Sequence, residues 1–296
     1  MGERLYLSHE RRAISKIIQG GYKLSLTIVT VVKNDLLGLQ RTEASVRRQT
    51  LPLKWLVITP EDLSATHLYV CNLRAENLVT TFISDKGNGI YPAMNLAIQE
   101  SSKNEWLWFL NAGDEFASEN SAELVMKHIK KSQTRWLFGG NKLGSSEGKI
   151  LGENRPPKLF EPRNQLFSKK YVSHQSVIFK NDFLQELGGF REQFKIAADW
   201  DLLVRASKID TGKRIENIIS VFYMGGLSTH SRKKSNRELL ILRKEHLEKR
   251  YLLKSHSWYF YREIRNFFIQ FFEVTYPSKV NKIRSTRLLI RSKFDG

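Results

Sequence analysis

The run LSLTIVTVV (24–32) restricts the possible folds more than any other stretch of the chain. It is short, β-branched and apolar at both alternating parities, the pattern of a strand buried on both faces. Such a strand needs helices on either side. KNDLLGLQRTEASVRRQT (33–50) follows it, with Leu36, Leu39 and Val46 at helical spacing and Asn34 and Asp35 available as caps. WLVI (55–58) reads as the next strand, and IYPAMNLAIQES (90–101) as a helix with Met94, Ala97 and Ile98 on one face. EWLWFLN (105–111) reads as another buried strand and SAELVMKHIKK (121–131) as another helix. This alternation with short connections predicts an α/β sheet wound by right-handed crossovers.

The middle of the chain differs in texture. GGNKLGSSEGKILGENRPPKLFEPRNQ (139–165) is rich in Gly, Pro and polar residues and reads as turns and a long loop. SVIF (176–179) resumes a strand, NDFLQELGGF is a short helix stopped by Gly188, and DWDLLVRASK is a longer one. IISVFYMGG (218–226) reads as the last strand of the core, followed by two helical stretches, NRELLILRKEHLEKRYLL and WYFYREIRNFFIQFFEV.

With 296 residues and 41% hydrophobic content, the chain can bury a sizeable core. No run approaches the roughly 20 apolar residues that span a bilayer, and MGERLYLSHERRAISKII is too charged for a secretory signal. A single cysteine, Cys71, forms no intrachain disulfide and suits a reducing compartment, so a cytoplasmic location is expected. The net charge of +18 is concentrated in residues 231–296, which hold 17 Lys/Arg against 6 Asp/Glu. Nucleic acid could take up such charge, but no nucleic-acid-binding module is recognisable, and no nucleic-acid partner is expected.

Four polar patches fall where α/β proteins place their sites, at the carboxyl ends of strands. They are TVVKND (30–35), SDKGNGIYPAMN (84–95), FLNAGDEF (109–116) and KIAADWDLLVRA (195–206). Each has a structural explanation as a tight turn or a helix cap. In the last, Asp199 and Asp201 flank Trp200 at a helix start, where acidic residues favour the helix dipole. A carboxylate there can equally serve as a general base.

Taken in order, LTIVTVVKNDLLGLQRTEASVRRQTLPLKWLVI, GIYPAMNLAI, WLWFLNAGDEF, SHQSVIFKNDFLQELGGFREQFKIAADWDLLVR and GGLS resemble the successive signatures of family 2 glycosyltransferases, and most closely bacterial enzymes that build surface polysaccharides. The resemblance implies a GT-A (Rossmann-like) nucleotide-diphospho-sugar transferase fold with a mixed central sheet over residues 24–230. A basic segment (1–23) would precede it and a basic α-helical C-terminal extension (231–296) would follow. It implies inverting transfer of a hexosyl or acetamidohexosyl group from a nucleotide-diphosphate sugar, a UDP-sugar by preference, to an acceptor hydroxyl. Asp199 matches the catalytic base. Asp114 matches the carboxylate of the metal motif, for Mg²⁺ or Mn²⁺, with His230 as a second candidate ligand. Donor contacts are implied at Thr30, Val32, Asn34, Asp62, Gly89, Asn95, Asn111 and Gly113, and acceptor contacts at His174, Gln175, Trp200 and Asp201.

Three departures stand out. Thr59 replaces an Asp that usually reads the base, with Asp62 or Glu61 as substitutes; Pro92 and Ala198 replace common acidic residues. A GT-A protein that binds nucleotide or glycan without turnover is the alternative these departures favour. The Gln-x-x-Arg-Trp signature of processive synthases is absent, which implies addition of one sugar per binding event. The tail mixes Trp258, Tyr259, Phe260 and Phe267 with Arg262, Arg265 and Lys279, a composition suited to an anionic membrane surface. That implies a peripheral enzyme at the inner face of the plasma membrane with a lipid-linked saccharide acceptor. The other possibility is a helical pair packed on the core or on a second copy in a homo-oligomer.

Overall fold

A computed structural model describes residues 25–167, 170–224 and 232–248. The opening strand, β1 (Ser25–Val31), lies inside a nine-stranded sheet, and its five central residues are buried. It pairs in parallel with β2 (Lys54–Pro60) on one side and β4 (Glu105–Phe109) on the other. Beyond β2 the parallel half continues with β3 (Thr81–Asp85). Helices α1 (Leu36–Arg47), α2 (Ala65–Ala75) and α3 (Ile90–Glu100) connect these strands. Alternation along β1 explains why both faces are covered. Ile28 joins a core with Leu39, Trp55 and Val70, whereas Val29 joins a separate core with Met94 and Ala97.

After β4 the chain passes through β5 (Glu115–Phe116), α4 (Ser121–Lys130), β6 (Trp136–Gly144), β7 (Ile150–Asn154) and α5 (Pro162–Leu166). Then come β8 (Val177–Lys180), α6 (Asn181–Glu186), α7 (Ala198–Ser207), β9 (Lys213–Tyr223) and α8 (Arg232–His246). The sheet order is β3-β2-β1-β4-β8-β6-β9-β5, with β7 on β6. β8 runs antiparallel to β4 and β6, and β9 runs parallel to β6. The expected mixed α/β sheet is therefore present.

Residues 139–165 are not the long loop their composition predicts, since they contain the end of β6, all of β7 and most of α5. The glycines there serve close approach. A Cβ on Gly139 would lie 2.7 Å from the Ile219 side chain, and one on Gly140 would lie 2.5 Å from that of Ile218. Strand β9 can lie beside β6 only because those side chains are missing.

Helix α8, which the sequence places in the basic extension, packs on the core. Leu239 and Leu242 are buried in the same cluster as Leu202 and Leu203 of α7. The Arg243 guanidinium is buried and donates through Nε and Nη2 to the Leu166 carbonyl at 3.0 and 2.7 Å. Residues 1–24 and 249–296, with the aromatic–basic stretch, lie outside the described residues. Among the described residues no helix is long and apolar enough to cross a membrane.

Because Leu242 is fully buried, Leu242→Ala is expected to lower global stability by about 2–5 kcal/mol in urea unfolding. An unchanged midpoint would mean that α8 is not part of the cooperative core.

Candidate active site

Strands β1 to β4 end at one edge of the sheet, and a cleft of about 950 Å³ opens there. Its floor comes from Val31–Lys33 after β1, Pro60, Asp85 and Gly87 near β2 and β3, and Asn111–Asp114 after β4. The facing wall is built by Tyr91 at the start of α3, by 171 and 173–175, by 195–197 with Asp199 and Trp200, and by Leu239 of α8.

The turn after β4 is strapped to α1. Gly113, at φ +95°, adopts backbone geometry that favours glycine. Its N–H donates to the Thr42 hydroxyl (3.0 Å), which in turn donates to the Asp114 carbonyl (2.8 Å). The Asp114 carboxylate accepts from the Asn111 N–H at 3.1 Å. Burial pushes the Asp114 carboxyl well above the usual carboxylate range, against the hydrogen bonds from Asn111 and Gln175. Beside it, Asn111 Oδ1 is buried without a hydrogen-bond partner. An uncompensated carboxyl and an unpaired amide oxygen are hard donors of the kind that suit Mg²⁺ or Mn²⁺.

Across the cleft, burial raises the Asp199 carboxyl to about 6, with hydrogen bonds from Tyr91 and the local backbone opposing it. Its Oδ1 lies 3.0 Å from the Tyr91 hydroxyl. The next residue, Trp200, stacks on Tyr171 with ring centres 5.9 Å apart and planes at 24°, an apolar platform at the mouth of the site. His174 rests between the Phe109 and Phe190 rings, its Nε2 buried and unpartnered, and burial lowers its imidazole to about 4. It is therefore neutral near pH 7.

No family model matches the chain. It is 28% identical over 209 residues to an uncharacterized glycosyltransferase of Mycobacterium tuberculosis, covering 70% of this chain and 78% of that one. It is 26% identical over 189 residues to a PGL/p-HBAD biosynthesis glycosyltransferase of the same species, covering 62% and 71%. Among solved structures, residues 1–349 of Staphylococcus aureus TarS superpose with a TM-score of 0.58 at 12% identity, over 80% of this chain and 71% of that one. The mannosyltransferase PcManGT of Pyrobaculum calidifontis, solved with GDP-Man and Mn²⁺, gives a TM-score of 0.54 at 14% identity, over 98% and 94%. The chain has the GT-A glycosyltransferase fold. In sequence it is similar to bacterial glycosyltransferases.

Within this GT-A frame the residues singled out from sequence divide. Val32, Gly89, Asn111, Gly113, Asp114, His174, Gln175, Asp199 and Trp200 all line the cleft. Thr30 does not, because its hydroxyl is buried between the Leu110 carbonyl (2.7 Å) and the Trp55 indole N–H (2.9 Å). Asn34, at φ +52°, is exposed and lies outside the lining, as is Asp62, whose carboxylate accepts from the Ser64 N–H at 3.1 Å. Asn95 braces the backbone of Phe190 from both sides, donating to its carbonyl (2.9 Å) and accepting from its N–H (2.8 Å). His230 lies outside the described residues.

Asp201 also falls outside the cleft. It is fully buried, paired with Arg205 at 2.7 Å, with Arg191, and with His246 at 3.0 Å. Burial alone would raise its carboxyl, but these three partners outweigh burial and hold it far below the usual range. Asp201, Glu245 and His246 place ligand atoms within 4.8 Å of one another. Two guanidinium groups already neutralise that cluster, which makes it an ion-pair network and a poor cation site.

Sequence reading missed Asp85, Tyr91 and Tyr171 in the lining. Asp85 carried a signal, since it stands at a strand end just before a Gly-rich turn. Tyr91 resembled a core aromatic, and only the fold brings its hydroxyl to Asp199.

Asp201→Ala is expected to cost about 1–3 kcal/mol, because it takes a buried carboxylate from two half-buried guanidinium groups. Asp199→Asn, which breaks no ion pair among the described residues, should leave stability far closer to wild type. Guanidinium denaturation of both variants checks the contrast, and equal losses would contradict it.

Proposed function

We propose that the chain transfers one sugar from a nucleoside-diphosphate sugar, UDP-linked by preference, to an acceptor hydroxyl with inversion at the anomeric carbon. The observation that carries this reading is the convergence of Asp114, in the floor, and Asp199, in the facing wall, on one cleft, each with a carboxyl that burial raises. The neighbouring folds support the donor class, because TarS was solved with UDP-GlcNAc and PcManGT with GDP-Man.

In this reading the nucleotide lies along the ends of β1 to β4, where Asp85 takes the place of the base-reading carboxylate missing at Thr59. Asp199, ionised above about pH 6, accepts the acceptor proton as the new C–O bond forms, and the nucleoside diphosphate leaves from the opposite face of the sugar. Tyr171 and Trp200 hold the acceptor ring and limit water. Asp114 and Asn111 would hold a Mg²⁺ or Mn²⁺ ion, which neutralises charge on the leaving diphosphate when bound. A lipid-linked saccharide acceptor, a role in surface polysaccharide synthesis and peripheral attachment to the inner face of the plasma membrane complete the proposal. The basic tail and the PGL/p-HBAD biosynthesis name of a mycobacterial relative support them. Binding without turnover is the second reading, favoured by Thr59, which is buried and outside the cleft.

Incubation with a panel of UDP-, GDP- and dTDP-sugars, with and without Mn²⁺, tests the choice. One donor should be turned over, and Asp199→Asn should lower kcat about 10²–10⁴-fold while donor binding persists. Donor binding with no turnover, even with lipid-linked acceptors, would favour the second reading.

The acid limb of the rate profile should fall near pH 6, since Asp199 is protonated below its midpoint of about 6 and cannot accept. Mn²⁺ binding should release protons increasingly as the pH falls, because burial raises the Asp114 carboxyl, which must be ionised to ligate. Calorimetry in buffers of different ionisation enthalpy reads that release, and Asp114→Ala should abolish it.

A further inference from the structure

Helix α7 carries Asp199 in its first turn yet begins without a cap of its own. Its N-cap residue, Ala197, has no side-chain acceptor to offer the orphan N–H groups of the first turn. The segment that leads into the helix is held from elsewhere in the chain. Glu238, buried on α8, accepts from the N–H groups of Lys195, Ile196 and Ala197, each at 2.9 Å. From the other side of the segment, the Tyr91 hydroxyl donates to the Ile196 carbonyl at 2.7 Å.

The peptide unit joining Ile196 to Ala197 is thus held at both ends, its N–H by Glu238 and its C=O by Tyr91. Asp199 follows two residues later. The same tyrosine oxygen lies 3.0 Å from Asp199 Oδ1. One hydroxyl proton cannot fully serve two acceptors. With Asp199 ionised, the Tyr91 proton turns toward the carboxylate; with Asp199 protonated, the carboxyl donates to the tyrosine oxygen and the tyrosine proton returns to Ile196.

We infer that Glu238 and Tyr91 act as a clamp that positions Asp199, so that the carboxylate's orientation depends on a helix about 40 residues downstream of it. Glu238 and Tyr91 are positioning residues here, and neither needs to touch substrate. The inference deepens the reading of Asp199 as the base and rests on it for its consequence in catalysis.

Opposite electrical signs make the clamp testable. The charge of Glu238 disfavours a second carboxylate nearby, whereas the Tyr91 hydroxyl stabilises ionised Asp199. The other contributors are the N–H groups of Asp199 and Trp200 on α7 itself, and Lys195 and His174 share the cleft wall.

The test is a ¹³C NMR titration of the full chain labelled at aspartate carboxyls, with the Asp199 resonance assigned by its loss in Asp199→Asn. In Glu238→Gln the Asp199 midpoint should move to lower pH; in Tyr91→Phe it should move to higher pH. With the donor turned over in the panel and water as acceptor, Glu238→Gln should lower kcat on the order of ten-fold, with donor KM held near wild type. An unmoved Asp199 midpoint in folded Glu238→Gln, or shifts of the same sign in both variants, would overturn the clamp. Should Glu238→Gln fail to fold, Tyr91→Phe carries the test, and a midpoint that does not rise overturns it. Wild-type turnover in Asp199→Asn would instead remove the base assignment and leave the clamp standing as a structural device.

Discussion

A carboxylate with no exposure to water must be neutralised where it stands, and Asp201 is such a group. Burying it alone would cost several kcal/mol. Its partners come from three places: Arg191 from the segment after α6, Arg205 one turn along α7, and His246 from the end of α8. Arg205 spends its remaining donors on the Leu187 and Gly189 carbonyls, at 2.6 and 2.7 Å. One buried charge therefore joins a loop and two helices that no sheet hydrogen bonds connect. The second wall of the cleft exists because that junction holds.

Asp199 and Asp201 sit two positions apart on α7, roughly 200° around the helix. One points into the cleft and the other into the core. The first has a single hydroxyl and local N–H groups for company, and its proton is held more tightly than usual; the second has two guanidinium groups and an imidazole, and loses its proton readily. A carboxylate left without charge compensation reduces stability and is poised to take up a proton near neutral pH. Burial likewise raises the Asp114 carboxyl, against the hydrogen bonds from Asn111 and Gln175. Both uncompensated carboxyls face the cleft.

Much of the architecture was legible in the sequence, for physical reasons. Strands buried on both faces are apolar at nearly every position, so β1, β2 and β4 announced themselves. Helices α1, α3 and α4 each repeat apolar residues at helical spacing. Residues 139–165 misled because glycine marks both a turn and a place where two backbones must nearly touch, and the second reason governs Gly139 and Gly140. Helix α8 misled in another way: its sequence is charged and basic, yet Arg243 and Glu238 are buried because both find backbone partners.

Local pattern was enough to determine the alternating strands and helices, the acidic turns at strand ends, and Asp199 as a carboxylate worth attention, since each depends on neighbours within a turn or a strand. Which of two nearby aspartates faces the cleft, which glycine is a turn, and which distant glutamate holds the segment leading into α7 were decided only when the chain closed on itself. Those outcomes depend on desolvation and on hydrogen-bond partners dozens of residues away, and neither quantity exists until the tertiary structure forms.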